Sequence, residues 1–410
     1  MRNIILKKIS YYLPDLGQSW LIVLVFIVGG TIFAGAISTP FILLIPNFED
    51  WSSPIIYPLS FVPAVCFVYF MIKNSRQKAA VLIYKTKYLS GKTSKSETQT
   101  HQADAQTSRH TDKYRNNHTE TTIQKQTHTD TQTNRQASIH ADTQINTQTE
   151  TDNPASMSGE TVFTTTSPAY TDQVSTPENN PAIIPTTIEE VMQIIPDSEI
   201  DASLPSIPLN KPNFGKLGAI LSFILLIPLT LSVSVVTEPI MSWWEMPDFI
   251  KKIFENLMGG HIIATALTVA IMAPLLEEWM CRGVIMRGLL YHSGPLKAIL
   301  WSALIFGAMH LHPWQAVPAF FAGIAIGWVY WRTRSIWAPI FMHFVNNGTS
   351  ILLTVLYPDL PVDAALKDLI PGNQYYMIYI TAIIVLSVII TLMHKKYDKP
   401  VIPYKVQSDI

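Results

Sequence analysis

Two adjacent carboxylates, Glu277 and Glu278, follow a long apolar stretch in the run Ala273-Pro274-Leu275-Leu276-Glu277-Glu278-Trp279-Met280-Cys281-Arg282-Gly283. An ionisable group inside hydrocarbon costs about 2.5–3.5 kcal/mol on insertion scales, so such groups have partners and a purpose. Residues four apart share a helix face, which lets Glu278 and Arg282 meet, while Glu277 points about 100° away. One division of labour has Arg282 hold Glu278 and leaves Glu277 for chemistry; the arginine side chain is long enough for the opposite assignment. Further along, an apolar run ends in Phe306-Gly307-Ala308-Met309-His310, and His343-Phe344-Val345-Asn346-Asn347 puts His343 and Asn347 on one helical face. Carboxylate, imidazole and carboxamide together are the groups that activate a water and stabilise developing negative charge. With inner helix ends near Gly288, Ala298 and Ser335, Glu277, His310 and His343 lie about 16, 18 and 12 Å from one boundary, at 1.5 Å per residue. Their agreement in depth is the first indication of a shared site.

The elements that carry them are membrane helices. Of 410 residues, 48% are hydrophobic and only 14% charged, well below the roughly 25% charged residues of a soluble domain. The stretch 91–197 is polar, which leaves the remainder too apolar for a water-soluble surface. A span needs about 20 mostly apolar residues, and runs meeting or approaching that length cover 20–46, 55–72, 215–236, 262–290, 296–310, 314–331, 336–357 and 375–393. The fold class is therefore all-α: a polytopic transmembrane bundle of about eight spans with a disordered cytoplasmic insert. The 296–310 run is the shortest and ends in polar residues. The organisation reads as a two-span region (1–73), the polar insert (74–214), a third span with an interfacial helix (215–258), a core (259–357), and a last span with a tail (358–410).

Basic residues sort to one side of these spans (Arg2, Lys7, Lys8; Lys73, Arg76, Lys78; Arg282, Arg287, Lys297; Arg332, Arg334; Lys395, Lys396) and acidic residues to the other (Glu49, Asp50; Glu238, Glu245, Asp248; Asp359, Asp363, Asp368), with Lys251, Lys252 and Lys367 as the main exceptions on the acidic side. The positive-inside rule then puts both termini in the cytoplasm of a multi-pass plasma-membrane protein. Ala34-Gly35-Ala36 has the look of a signal-peptidase site, but the apolar run continues to Ile45, so the first run reads as a retained span. The net charge of −1, from 29 basic and 30 acidic residues, gives no reason to expect a nucleic-acid partner. The two cysteines, Cys66 and Cys281, both in apolar runs, exclude a disulfide scaffold and a four-cysteine zinc module.

The insert is rich in Thr, Gln, His and Asp. Its histidines, His101, His110, His118, His128 and His140, are irregularly spaced and unaccompanied by cysteine, a pattern of low-complexity drift in place of a metal site. Near its end, Thr187 and Glu190 form a capping box ahead of Val191, Ile194 and Ile195, which predicts a short helix. Between 240 and 258, Trp243, Trp244, Phe249, Ile253, Phe254 and Leu257 alternate with charges, as in an interfacial helix.

Glu-Glu-x-x-x-Arg, Phe-x-x-x-His and His-x-x-x-Asn, in that order and each on its own membrane helix, resemble the CPBP family: the CAAX-processing type II prenyl proteases and their bacteriocin-immunity (Abi) relatives. The motifs here are Glu277/Glu278/Arg282, Phe306/His310 and His343/Asn347, and the resemblance covers about 259–357. Where many members carry an aromatic before the arginine, this chain has Cys281. The resemblance implies intramembrane hydrolysis of a peptide bond, with membrane lipids and a membrane-associated, in some members prenylated, protein or peptide as partners. Two versions of the chemistry are open. In the metal-free version Glu277 and His310 orient and deprotonate water, His343 and Asn347 donate to the oxyanion, and Glu278 and Arg282 support them. In the zinc version Glu277, His310 and His343 form a His₂Glu set with water in the open position. No His-Glu-x-x-His helix fixes two ligands at once, which tilts the reading slightly to the metal-free version. The rivals are a proton- or ion-coupled transporter, against which stands the lack of a second, repeated copy of the motifs, and a non-proteolytic binding or immunity protein of the same fold.

Overall fold

The computed structural model describes residues 9–89, 185, 187–241, 246–258, 261–361, 364–370 and 372–400. Residues up to 87 and from 187 onward form one compact unit; the second, 88–186, falls almost wholly outside the described residues. The disordered reading of the insert over 90–184, its histidines included, therefore also lies outside them.

The described elements are helices. In chain order they are α1 (Leu16–Leu44), α2 (Phe48–Ser60), α3 (Val62–Tyr84), α4 (Ile188–Ile194), α5 (Asp197–Ser203), α6 (Gly218–Met241), α7 (Asp248–Met258), α8 (Ile262–Ser293), α9 (Pro295–Ala308), α10 (Pro313–Thr333), α11 (Trp337–Leu356) and α12 (Asn373–Lys396). Among the described residues, six helices are long and apolar enough to cross a membrane: Leu16–Leu44, Phe48–Tyr88, Gly215–Ile240, Ile262–Ser293, Trp337–Leu356 and Asn373–Lys396. The other two of the eight expected spans are present as helices but fall short of that standard. Helix α9 has 14 residues, about 21 Å at 1.5 Å each against a hydrocarbon core of about 30 Å. Helix α10 is long enough but carries Gln315, Pro318 and Arg332. The expected amphipathic helix is found at α7; Trp243 and Trp244 lie outside the described residues.

Helix α8 sits at the centre, packed against α2, α9 and α11, while α9 and α10 form the tightest antiparallel pair and α6 binds α10, α11 and α12. One core cluster gathers Phe61, Met280, Val284, Ile285, Leu289, Phe306 and Tyr330; a second gathers Leu226, Val329, Met342 and Met393. Apolar side chains such as Ile220, Leu43, Leu44 and Met377 remain exposed on the outside of the spans, where lipid, not water, is their solvent.

Residues 187–214, assigned from sequence to the disordered insert, are folded. The Thr187 hydroxyl caps the Glu190 amide (3.2 Å), as the capping box predicts. Val191, Ile195 and Ile200 bury against Ala80 of α3, and Arg76 binds Asp197 (2.7 Å) and Asp201. These few apolar residues and the ion pairs offset the ordering entropy that the surrounding polar composition otherwise leaves unbalanced. The following strap then binds the ends of several helices. The Ile207 amide donates to Ser10 (3.0 Å), Lys211 to Arg334 (2.9 Å) and Asn213 to Thr333 (2.7 Å), and the Asn210 side chain accepts from the Ile336 amide (3.0 Å). Fully buried Arg287 of α8 donates to the carbonyls of Ile9, Ser10, Ile207 and Gly283. Close beside it, a Cβ on Gly288 would lie 2.0 Å from the Pro14 carbonyl oxygen, so only glycine lets the N-terminal segment approach α8 there.

Candidate active site

Helix α8 is not uniform. Two π-helical stretches, Leu267–Met272 and Trp279–Met286, flank an α-helical segment, Ala273–Glu278, that ends in the two glutamates. The cause lies partly at Pro274. The Ala273 amide bonds five residues back, to Thr268, and Pro274 has no N–H to give. The Val269 carbonyl thereby loses both its α-helical and its π-helical donor. It is satisfied instead by the Asn347 side-chain amide of α11 at 2.8 Å. A buried carbonyl must find a donor, and here a predicted site residue supplies it. The Asn347 carboxamide oxygen in turn accepts from Asn346 (3.1 Å), whose own oxygen accepts from Ser234 (2.9 Å).

The two carboxylates are treated differently. Glu278 is completely buried, as is Arg282; Arg282 Nη1 lies 2.9 Å from Oε1 and 2.8 Å from Oε2, and His343 Nδ1 lies 2.9 Å from Oε1. A carboxylate can only accept, so His343 donates its Nδ1–H and presents Nε2 elsewhere. The i,i+4 pair read from sequence is thus present, and His343 joins it at Glu278. Arg282 also donates to the Gly323 carbonyl (3.0 Å) and lies with its guanidinium carbon 4.5 Å from the centre of the Phe306 ring, a cation–π contact. A Cβ on Gly323 would crowd Arg282 at 3.3 Å and the Ala303 Cα at 3.1 Å.

Glu277 is buried too, yet among the described residues its only hydrogen bond comes from the Tyr57 hydroxyl, to Oε1, and Oε2 has no partner. Tyr57 is the residue that sequence reasoning missed. It lies 220 positions away on α2, in a region outside the motifs. A hydroxylated aromatic in mid-span was the one available signal, since a buried tyrosine needs a partner for its O–H.

His310 sits where α9 gives out. Its amide turns to Gly307 (3.1 Å), and its ring Nδ1 lies 2.9 Å from the Phe306 carbonyl, to which it donates. The next residue, Leu311, has φ of +62°, a left-handed conformation that is costly for a side-chain-bearing residue and that ends the helix before Pro313 opens α10. His310 too is left with Nε2 free of any protein hydrogen bond among the described residues. The Phe306 ring stands edge-on to both imidazoles, 5.2 Å from His310 and 5.5 Å from His343. That contact gives the Phe-x-x-x-His spacing a physical reason: one ring spaces the two histidines and supports the arginine. Cys281, the departure noted above, is buried with its sulfur 3.5 Å from that of Met309.

The structure thus brings Glu278, Arg282 and His343 into direct contact, sets His310 across Phe306 from His343, and ties Asn347 to the Val269 carbonyl of α8, eight residues before Glu277. The donor set expected of a zinc site is not assembled: among the described residues no three His, Cys, Asp or Glu side chains come together in a way that could hold a metal ion. The arrangement does not fit a His₂Glu centre. It leaves Glu277 Oε2 and the Nε2 atoms of the two imidazoles without protein partners among the described residues.

An apolar groove of about 240 Å³ lies between α6, α8 and α11, lined by Phe223, Pro274, Leu275, Trp337, Phe341 and Phe344 among others.

Comparison with known proteins agrees with these motifs. Residues 259–349 match the family described as type II CAAX prenyl endopeptidase Rce1-like. The chain is similar to the Bacillus subtilis (strain 168) protein named "Putative membrane peptidase YdiL", 33% identical over 89 residues, which are 22% of this chain and 36% of that protein. It is also similar to the membrane-embedded CAAX protease MroQ of Staphylococcus aureus (strain USA300), 27% identical over 170 residues, 40% of this chain and 66% of that protein. The chain therefore spans between about a third and two thirds of the length of these relatives. No solved structure matches it. The chain is thus a multi-pass membrane protein whose residues 259–349 match the Rce1-like CAAX protease family.

Proposed function

We propose that the protein is an intramembrane endopeptidase that hydrolyses a peptide bond of a membrane-associated protein or peptide with a water activated by Glu277. The observation that carries this reading is the asymmetry of the two glutamates: both oxygens of Glu278 lie within 2.9 Å of Arg282 Nη1, while Glu277 Oε2 has neither a hydrogen bond nor an ion pair among the described residues. Glu277 Oε2 and His310 Nε2 accept the two hydrogens of a water. The water oxygen attacks the scissile carbonyl as Glu277 takes its proton, and the carbonyl oxygen becomes an oxyanion. Asn347 offers its second amide hydrogen to that oxyanion, and Glu278 fixes His343 beside it through Nδ1. Such donors contribute about 2.7–4 kcal/mol each in comparable sites. The C–N bond then breaks, and the proton held by Glu277 passes to the leaving amine. Glu278 and Arg282 hold His343 and α8. No step runs through a metal.

The apolar groove favours a substrate that carries a hydrocarbon chain. Its lining shares Pro274 and Leu275 with the segment that bears Glu277 and shares α11 with His343, so a prenyl or acyl group seated there brings an attached peptide to the carboxylate. The sorting of Lys and Arg supports a plasma-membrane protein with both termini in the cytoplasm, which opens the site to peptides tethered to the inner leaflet.

The test is cleavage of fluorogenic peptides by the full-length protein in lipid nanodiscs, with and without a C-terminal prenyl-cysteine segment. The expected result is hydrolysis that the Glu277→Gln variant lacks, with a lower KM for the prenylated peptide. Equal turnover by wild type and Glu277→Gln, or no cleavage of either peptide by wild type, would overturn the reading.

A further inference from the structure

Helix α2 lies outside the segment that matches the protease family, yet one of its faces follows α8 to the site. The His261 amide donates to the Asp50 carbonyl (3.2 Å), and the Trp51 and His261 rings stack with centroids 3.4 Å apart. The Thr268 hydroxyl donates to Ser53 (3.0 Å), and the Tyr57 hydroxyl donates to Glu277 Oε1. Residues 50, 53 and 57 recur at helical spacing on one face, so α2 is keyed to α8 at successive points that end on the carboxylate.

The phenol is held from behind as well. Its ring packs 5.5 Å from that of Phe61, which is buried and lies 4.4 Å from Phe26 of α1. Pro54 and Pro58 bracket it and fix the local backbone dihedrals. The Tyr57 carbonyl, whose expected helical donor at Phe61 turns to Pro58, accepts from the Ser60 hydroxyl (2.7 Å). The hydroxyl thus arrives at Oε1 from a rigid support, while Oε2, the other oxygen of the same carboxylate, has no partner.

We propose that Tyr57 is a positioning residue for the hydrolytic centre: it anchors Oε1 of Glu277 so that Oε2 is the oxygen turned to the water. The active site is then completed by the N-terminal two-helix region, and the 259–349 domain alone lacks the group that orients its base. This inference rests on the reading of Glu277 as the base. A carboxylate tied through one oxygen has one orientation, whereas an untied one samples others, and only one aligns it with the water.

Three variants of the full chain in nanodiscs test it: Tyr57→Phe, Tyr57→His and Glu277→Gln. Tyr57→Phe keeps the ring and its packing and removes one charge-assisted hydrogen bond. It is expected to lower kcat tenfold or more with KM changed less than twofold and the melting temperature within about 2 °C of wild type. Tyr57→His keeps a ring donor and should recover part of the lost kcat. A readout independent of turnover is infrared difference spectroscopy. The carboxyl band identified as the one Glu277→Gln removes should shift in Tyr57→Phe, because its hydrogen-bond donor has gone. Wild-type kcat or an unmoved carboxyl band in Tyr57→Phe, with Glu277→Gln inactive, would overturn the positioning role and leave the Glu277 reading standing. An active Glu277→Gln would overturn that reading, and the positioning role with it, whatever the band does.

Discussion

Replacing each glutamate by glutamine separates a group that holds the fold from one that does chemistry. Glu278 has no exposure, and its oxygens lie 2.8–2.9 Å from Arg282 Nη1 and 2.9 Å from His343 Nδ1. Glu278→Gln keeps the volume but leaves the equally buried Arg282 guanidinium facing a neutral amide. Breaking a buried pair by removing one charge costs about 3–5 kcal/mol. At about 2–4 °C per kcal/mol, the scale for domains of 150–250 residues, the melting temperature falls by about 6–20 °C. Glu277→Gln behaves otherwise. The only hydrogen bond Glu277 makes is accepted at Oε1 from Tyr57, and a glutamine oxygen can accept it as well, so stability changes by no more than about 1 kcal/mol. What it loses is the base, a factor of about 10²–10⁴ in turnover. The assay pairs thermal unfolding in detergent, followed by tryptophan fluorescence, with peptide hydrolysis at a temperature where every variant is folded. A Glu278→Gln protein melting within 2 °C of wild type would refute the argument that this pair bears the helix. A destabilised Glu277→Gln would show that both carboxylates are structural.

The remaining expectations concern support, insert and metal. Gly288→Ala places a Cβ against the Pro14 backbone and should cost about 1–3 kcal/mol of overpacking in a thermal-unfolding experiment; an unchanged melting temperature would mean the N-terminal segment does not dock on α8. Deleting 91–181 should leave expression, folding and hydrolysis near wild-type levels, whereas deleting 187–214 strips Arg287 and Ile336 of partners and should abolish folded protein on size-exclusion chromatography. Exhaustive chelation should leave peptide hydrolysis unchanged and elemental analysis should find less than one zinc per ten chains, because no three ligating side chains converge among the described residues; chelator-sensitive activity restored by zinc would show that ligands gather on substrate binding.

How much of this was legible in the sequence follows the range of the interaction. Glu278 and Arg282 are four apart on one helix, so their pairing could be read from spacing alone, and the Thr187 cap could be read from its distance to Glu190. The depth arithmetic placed Glu277, His310 and His343 in one layer without saying which would touch. That His343 turns to Glu278 and that Tyr57 finds Glu277 are facts of packing between helices separated by 65 and 220 positions. No periodicity encodes them. Two of the eight expected spans fall short of the crossing standard for a related reason. A hydropathy run measures apolar length, while α9 ends early and α10 admits polar residues. The strap was hidden by its residue types: Pro205, Pro208 and Pro212 break any helical or strand pattern over 204–214, and the order of the segment comes from backbone groups that bind the ends of other helices and from burial of Ile207.

The defects in the helices and the polar side chains at the site are two sides of one constraint. In an apolar interior each carbonyl must be satisfied by protein, and any break in helical bonding needs a side-chain donor nearby. Pro274 and the π turn free the Val269 carbonyl, and Asn347 takes it; the end of α9 frees the Phe306 carbonyl, and His310 takes it. Each donor is thereby fixed in one rotamer, with its remaining polar atoms pointing away from the backbone it caps. For His310 this also sets the tautomer: Nδ1 carries the proton and Nε2 keeps its lone pair. Preorganisation of this sort is what a hydrolytic centre needs, since groups already oriented add no reorganisation cost when charge develops. Glu277 is the exception that makes the rest intelligible, because it caps nothing. Its carboxylate accepts from a phenol at Oε1 and is otherwise left over among the described residues, and in the proposed mechanism its remaining partner arrives with the substrate.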